Sequence, residues 1–332
     1  MLKDRFGRVH DYLRISVTDR CNLNCVYCNP SDQTFNFLKE SEILTDEESL
    51  RLIRIFVEHL GFKKIRFTGG EPLAKKNVVD LISRLMPLHE KYGVETGITT
   101  NGTKLKKYLN SLKKYGVTKL NISLDTLDKI KFFKITGKDK FEDVFEAILA
   151  AEELGFEPLK INCVMMRGVN DDEILDFADF IKDRNMNIRF IEYMPFSGNK
   201  WSNGKFMSFL EIKNILESKF VLIPILKDRS EVANNFQLSG YRGTVSFISS
   251  ISNHFCDGCS RLRITSDGNL KLCLFSPKNT ELDLKFYLRS GNYDNKDIAE
   301  IIERKLQEKE LQHADTTELL KLEKNNMLSI GG

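Results

Sequence analysis

Six of the seven cysteines fall into two groups of three, Cys21, Cys25 and Cys28 near one end and Cys256, Cys259 and Cys273 near the other, with Cys163 alone between them. Thiolates are soft ligands, and the run Cys21-Asn22-Leu23-Asn24-Cys25-Val26-Tyr27-Cys28 places three of them close enough to hold three corners of one metal centre. Three is the informative number. Structural zinc and electron-carrying clusters usually close with four protein ligands, whereas a 4Fe-4S cluster on three cysteines leaves one iron free for a small molecule. Spacing alone leaves a zinc site or a cysteine-rich loop open for this group. The second trio shares the count, and there His254 is the alternative fourth ligand of a structural zinc.

Elements that position these residues follow from the hydrophobic pattern. Short apolar, β-branched-rich runs alternate with longer amphipathic stretches from residue 12 to about 192, which predicts a parallel sheet with helices packed outside it. Six strands are expected, at Tyr12 to Val17, Lys64 to Phe67, Glu95 to Thr99, Lys119 to Leu124, Leu159 to Met165 and Asn187 to Glu192, with helices such as Glu47–Leu60 and Phe141–Leu154. Six units leave an eight-fold barrel incomplete, so the fold class is α/β, an incomplete (βα)6 TIM-like barrel. In such folds chemistry gathers at the carboxyl ends of the strands. Here those ends are followed by the first cysteine group, Gly69-Gly70-Glu71-Pro72, Thr99-Thr100-Asn101-Gly102, Ser123-Leu124-Asp125 and Glu192-Tyr193-Met194.

The Gly-, Ser- and Asn-rich stretch Pro195 to Phe206 marks a boundary, dividing the chain into 1–200 and a smaller C-terminal α+β domain at 201–332 that carries the second trio. That second part reads as a helix Leu210 to Phe220, a hairpin Arg261 to Thr265 and Asn269 to Leu274 across Asp267-Gly268, a helix Asp294 to Glu308 and a polar tail. Strand alternation puts Arg261 and Arg263 on one face beside Cys259, an anion clamp next to a metal centre. Cys163, inside an apolar run, reads as packing.

Composition excludes several classes. With 50 basic against 47 acidic residues, a polyanion-binding surface over the whole chain is not expected, so any anion site is local. That balance also counts against a zinc-dependent nucleic-acid module. No apolar run approaches the roughly 20 residues that span a bilayer, and the N-terminal residues lack a signal-peptide pattern; neither nucleic acid nor membrane is expected as a partner, and the cytoplasm is the expected location. Cysteines in a chain of this kind point to metal rather than disulfides.

The CxxxCxxC spacing, with the aromatic Tyr27 before its last cysteine, and the Gly69-Gly70-Glu71-Pro72 segment resemble the radical S-adenosylmethionine (SAM) family. The resemblance implies that Cys21, Cys25 and Cys28 hold a 4Fe-4S cluster whose free iron is chelated by SAM. One electron then cleaves SAM to methionine and a 5'-deoxyadenosyl radical. Cys-x-x-Cys-x-Arg-x-Arg followed by Cys273 resembles the GTP 3',8-cyclases of molybdenum cofactor (molybdopterin) biosynthesis. So do Asp19-Arg20-Cys21-Asn22, Gly168-Val169-Asn170-Asp171, Arg189-Phe190-Ile191-Glu192-Tyr193-Met194 and the final Gly331-Gly332.

That second resemblance implies SAM contacts at Tyr27, Gly70, Ser123 and Met194. It implies GTP contacts at Arg14, Arg66, Thr99, Lys160, Arg261 and Arg263, and a second 4Fe-4S cluster on Cys256, Cys259 and Cys273 that binds the guanine base. Arg261, Arg263, Gly331 and Gly332 would act in the reaction, joining C3' to C8 to give (8S)-3',8-cyclo-7,8-dihydroguanosine 5'-triphosphate. A reducing electron donor, the downstream cyclic pyranopterin monophosphate synthase and a homodimer are the implied partners. Another radical SAM enzyme with an auxiliary cluster, such as a peptide-modifying or maturase enzyme, is the nearest alternative. Lys75-Lys76 stands where that family usually has arginine, and Ser260 where it usually has asparagine.

Overall fold

The computed structural model describes residues 1–28, 35–196, 198–226, 228, 230–321 and 327–331. Its frame is the expected series of parallel strands: β1 (Tyr12–Ser16), β2 (Lys64–Thr68), β3 (Glu95–Thr100), β4 (Val117–Ser123), β5 (Leu159–Met165) and β6 (Met186–Glu192), paired in chain order. Alternation is strict. Leu13, Ile15, Ile65, Phe67, Ile98, Leu120, Ile161 and Ile188 face the helices and are buried, while the intervening positions are mostly polar or charged, among them Arg14, Arg66, Lys119, Lys160 and Arg189.

The first helix, α1 (Asp46–Arg54), starts at Thr45, whose side chain accepts from Glu48 N while Glu48 returns a bond to Thr45 N. Such a capping box satisfies two otherwise orphaned donors. The stretch expected as one helix to Leu60 continues from α1 as a π-turn over Ile55–His59.

The second half does not build a sheet of its own. Its strands are β7 (Leu222–Pro224), β8 (Asn234–Leu238), β9 (Thr244–Ile248), β10 (Arg261–Ile264), β11 (Asn269–Lys271) and β12 (Leu282–Asp283). Strand β9 pairs parallel to β6, and β10 pairs parallel to β1, so the six expected parallel strands become eight in a twelve-stranded sheet. The reason is edge satisfaction. Both outer strands of the first half present unpaired backbone groups, and segments from beyond residue 200 cover both. The expected hairpin across Asp267-Gly268 is the antiparallel β10–β11 pair.

A main core runs through the whole sheet. A smaller cluster joins Phe196 and Phe275 to Leu319 and Ile330 of the C-terminal segment, with Met194 and Cys273 packed against it. The tail read from sequence as merely polar is thus anchored by apolar contacts. No helix among the described residues is long and apolar enough to cross a membrane.

Candidate functional site

The charged face of the sheet forms the site. Arg263, Arg14, Arg66, Gly97 and Lys119 are successive register partners on β10, β1, β2, β3 and β4. Four cations therefore stand in one row, on strands spaced about 4.8 Å apart. Lys160, Arg189, Arg261 and Lys64 join them around one cavity of about 440 Å³, whose only acidic lining side chains among the described residues are Glu95 and Glu231. Arg66 lies across Gly97, where a Cβ would come within 2.8 Å of its Nη2. It donates from Nε to the Tyr12 hydroxyl and from Nη1 to Ile98 O at 3.1 Å.

Crowding shows in the protonation equilibria. Burial, and then Arg189, Arg66 and Lys119, push the Lys160 ammonium down to about 8. Burial and Arg66 bring Arg189 down to about 10, and burial brings Arg14 to about 10. Burial alone would raise the Tyr12 phenol, yet Arg66 and Arg14 hold it at about 8. Cations that disfavour one another's charge are relieved by a polyanion. The hydroxyl of Thr99 and the side-chain oxygens of Asn121 and Asn162 are buried without hydrogen-bond partners among the described residues, and a ligand would satisfy them.

Beyond the ends of β1 to β3 lies the first cysteine loop. Cys28 N donates to Cys25 O at 2.9 Å. Burial pushes Cys25 well up, and Asp125, Cys28 and Cys21 add to this; burial likewise brings Cys21 to about 11. Three half-buried thiols that resist ionising beside one another suit a cation that replaces their protons, so the residues fit an iron–sulfur cluster. Among the described residues no three His, Cys, Asp or Glu side chains already stand together as a metal site, and all three thiols are free.

The loop is held by its surroundings. Asn101 Nδ2 lies 3.6 Å from Cys21 Sγ and donates to Asn22 Oδ1 at 2.9 Å. Glu71 is buried and accepts from Asn101 N at 2.6 Å, the Thr100 hydroxyl at 2.7 Å and Leu73 N at 2.9 Å, locking the Gly-Gly-Glu-Pro turn to the end of β3. At Gly70 a Cβ would lie 2.4 Å from Arg20 O, so glycine is required for this turn to press against the segment that leads from β1 into the cysteines. Tyr27 donates from its hydroxyl to Asp125 Oδ2 at 2.7 Å. The buried Asn199 donates to Met194 O at 2.8 Å and to Tyr27 O at 3.2 Å, tying two of the expected SAM-contacting segments together. Ser123 closes β4.

At the other edge, Cys256, Cys259 and Cys273 line the same cavity as Arg261 and Arg263. Burial would raise the Cys259 thiol, but Arg261 and Lys309 outweigh it and hold the group at about 6. Burial raises Cys256, opposed by the His313 backbone N–H that donates to it. His254 is exposed and packs edge-on against His313 with ring centroids 4.2 Å apart. The tail closes the wall: Gly331 is buried at φ +75°, its carbonyl accepts from Arg263 Nη1 at 2.9 Å, and a Cβ there would lie 2.1 Å from Thr68 Oγ1. Gly332 lies outside the described residues.

The family model described as Radical SAM superfamily matches residues 15–181. The chain belongs to the radical SAM superfamily. A second model, Molybdenum Cofactor Synthesis C, matches residues 186–315. The GTP 3',8-cyclase of Thermodesulfovibrio yellowstonii is 47% identical over 87% of this chain and 89% of its own length. The mitochondrial GTP 3',8-cyclase of Arabidopsis thaliana is 44% identical over 100% of this chain and 84% of its own. Molybdenum cofactor biosynthesis protein 1 of Bos taurus is 45% identical over 99% of this chain, which spans 51% of that relative; the chain thus covers about half the length of some curated relatives. Among solved structures, Streptococcus suis SuiB bound to S-adenosylmethionine superimposes over 89% of this chain and 68% of its own with a TM-score of 0.62 at 16% identity, a likeness of fold.

For a radical SAM protein the implied cofactors are a 4Fe-4S cluster and SAM. Of the residues expected to contact GTP, Arg14, Arg66, Lys160, Arg261 and Arg263 line the one cavity, as does Met194 of the SAM set. Lys75 pairs with Asp46 at 2.6 Å and Lys76 is exposed. Sequence reasoning assigned no role to Tyr12, Lys119, Asn121, Asn162 or Arg189. Strand parity was the available signal for Tyr12, Asn121 and Asn162, which lie two residues from Arg14, Ser123 and Lys160; Lys119 and Arg189 join them only through pairing with Gly97 and Asn162. Asn199 gave no such signal, because it sits in the stretch read as a linker.

Proposed function

We propose that this chain is a GTP 3',8-cyclase, converting GTP to 3',8-cyclo-7,8-dihydroguanosine 5'-triphosphate in the first step of molybdopterin synthesis. The single observation that supports this most is the cation row with a cysteine trio beyond it at each side: a polyphosphate-binding floor between two cluster-forming sites. Cys21, Cys25 and Cys28 hold the cluster that supplies the electron for SAM cleavage. Tyr27, Gly70, Ser123 and Met194 bind SAM. Arg14, Arg66, Thr99, Lys160, Arg261 and Arg263 bind GTP, to which we add Lys119 and Arg189.

Cys256, Cys259 and Cys273 hold a second 4Fe-4S cluster facing the guanine base, and Gly331, whose carbonyl accepts from Arg263, acts with Gly332 in the reaction. The division is a radical SAM part at 1–200 and an auxiliary-cluster part at 201–332. A low-potential electron donor and the cyclic pyranopterin monophosphate synthase that consumes the product are its partners, and the enzyme works as a cytoplasmic protein.

Anaerobic reconstitution with metal analysis, followed by SAM, GTP and reductant, tests this reading. About eight irons per chain, the content of two 4Fe-4S clusters, with 5'-deoxyadenosine and a cyclised nucleotide, is the expected result. Zinc in place of iron, or SAM cleavage that leaves GTP untouched, overturns it.

A further inference from the structure

Cys256, Cys259 and Cys273 line the cation-floored cavity and also a second cavity of about 540 Å³, shared with Arg8, Lys309 and His313. The segment 309–313, which follows the helix Asn295–Leu306, reaches the cation-floored cavity through His313 and also touches two of the sulfurs. Lys309 is 3% exposed; its ammonium lies 3.7 Å from Cys259 Sγ and donates to Arg261 O at 2.9 Å. The backbone N–H of His313 donates to Cys256.

This segment is braced from the opposite end of the chain. Asp4, on the ribbon formed by Leu2–Lys3 and Val9–His10, accepts from Arg8 Nε at 2.5 Å and stands 3.1 Å from His10 Nε2. Arg8 then donates to Leu311 O at 2.7 Å, Glu310 O at 2.7 Å and Cys256 O at 2.9 Å. A buried ammonium is costly unless opposite charge stands beside it. Burial disfavours the Lys309 ammonium, the neighbouring sulfurs of Cys259 and Cys273 favour it, and Arg8 and Arg261 oppose it more weakly.

We propose that Lys309, held by the Asp4–Arg8 brace, is the outer-sphere cation of the cluster on Cys256, Cys259 and Cys273, a positioning residue that favours its reduced form. This rests on the reading of that trio as a 4Fe-4S site. Charge and hydrogen bonds at the sulfurs set the potential of such clusters, and a fixed positive charge stabilises the state that carries one more electron.

The test uses the full chain with Cys21, Cys25 and Cys28 all changed to Ala, so that the second cluster is the one under observation. Lys309 is kept, or changed to Met or Arg, and iron content and the reduced-cluster signal during a redox titration are read. Iron is expected in all three. At a fixed potential Lys309→Met lowers the reduced-to-oxidised ratio about tenfold or more, which is about 59 mV for a one-electron couple, whereas Lys309→Arg stays within about threefold of the parent because the charge remains. Iron lost in the Met form and kept in the Arg form supports the same role. A full cluster with an unchanged ratio in Lys309→Met overturns the proposal, as does loss of iron in both forms with an unchanged melting curve. Absence of iron while Lys309 is intact overturns the reading of the trio itself, and is seen before any change at 309.

Discussion

Arg263 donates from Nη1 to the carbonyl of Gly331 across 2.9 Å, joining β10 to the end of the described chain 68 residues later. The same arginine is the register partner of Arg14, so the tail is fastened to the first member of the cation row. Gly331 fits because nothing larger can: Thr68 and Gly69 occupy the space of a side chain.

Gly331→Val should therefore expel the tail while leaving both cysteine trios intact. Cyclised product should fall at least about tenfold, the equivalent of one charge-assisted hydrogen bond of roughly 1.5–3 kcal/mol, with iron content unchanged. Product assay beside iron analysis checks this, and full turnover in the variant would remove the tail from the reaction.

Arg263→Lys keeps charge but loses the forked geometry, and should weaken GTP binding about tenfold without altering SAM cleavage in the absence of GTP. Equilibrium binding with a non-reacting GTP analogue measures this. An unchanged Kd would detach the row from the phosphates.

The depressed Lys160 gives the site a pH signature. Its ammonium in the free protein is lost as pH rises through about 8, whereas a bound polyphosphate favours the charged form. Above that pH, binding must take up a proton and affinity must fall; well below it the uptake vanishes. Calorimetry in buffers of different ionisation enthalpy reads the proton directly, and Lys160→Met should abolish the uptake.

Removing ligands should separate the two halves of the site. Ala at Cys21, Cys25 and Cys28 should cost about four irons and all SAM cleavage. Ala at Cys256, Cys259 and Cys273 should cost the other four and cyclisation, while leaving uncoupled 5'-deoxyadenosine formation.

Asn199→Ala deprives Tyr27 O and Met194 O of their shared donor. Half-buried carbonyls left unpaired should destabilise the fold by about 1 kcal/mol and raise the SAM concentration needed for half-maximal cleavage at unchanged iron content. Thermal melting and a SAM titration check the pair of effects.

Much of this was legible in the chain because strand parity and cysteine spacing are local properties. The strands that carry Arg14, Arg66 and Lys160 were read from the hydrophobic pattern, whereas the role of those three residues came only from the resemblance to the cyclase family; Arg261 and Arg263 were put on one face by alternation. What remained hidden depended on distance along the chain. That β9 and β10 would extend the first sheet at both edges is a matter of which edges stay unpaired, and no window of residues contains it. Asn199 and Lys309 act through backbone carbonyls and sulfurs brought near only by folding, so nothing in their neighbours' types announced them. Glu71 was visible as part of a turn, but its grip on Thr100 and Asn101 was not.

The two edges of the early sheet have a consequence for biogenesis. During synthesis β1 and β6 emerge long before residues 244–264 exist to cover them, and Arg14 and Arg66 stand on a half-built floor without Arg261, Arg263 or the tail. The first cysteine loop is complete by then and open to metal delivery, whereas the nucleotide chamber comes into being only when the last part of the chain arrives. A ribosome-bound intermediate would take up iron before it could take up substrate, and its bare strand edges would need shielding in the interval.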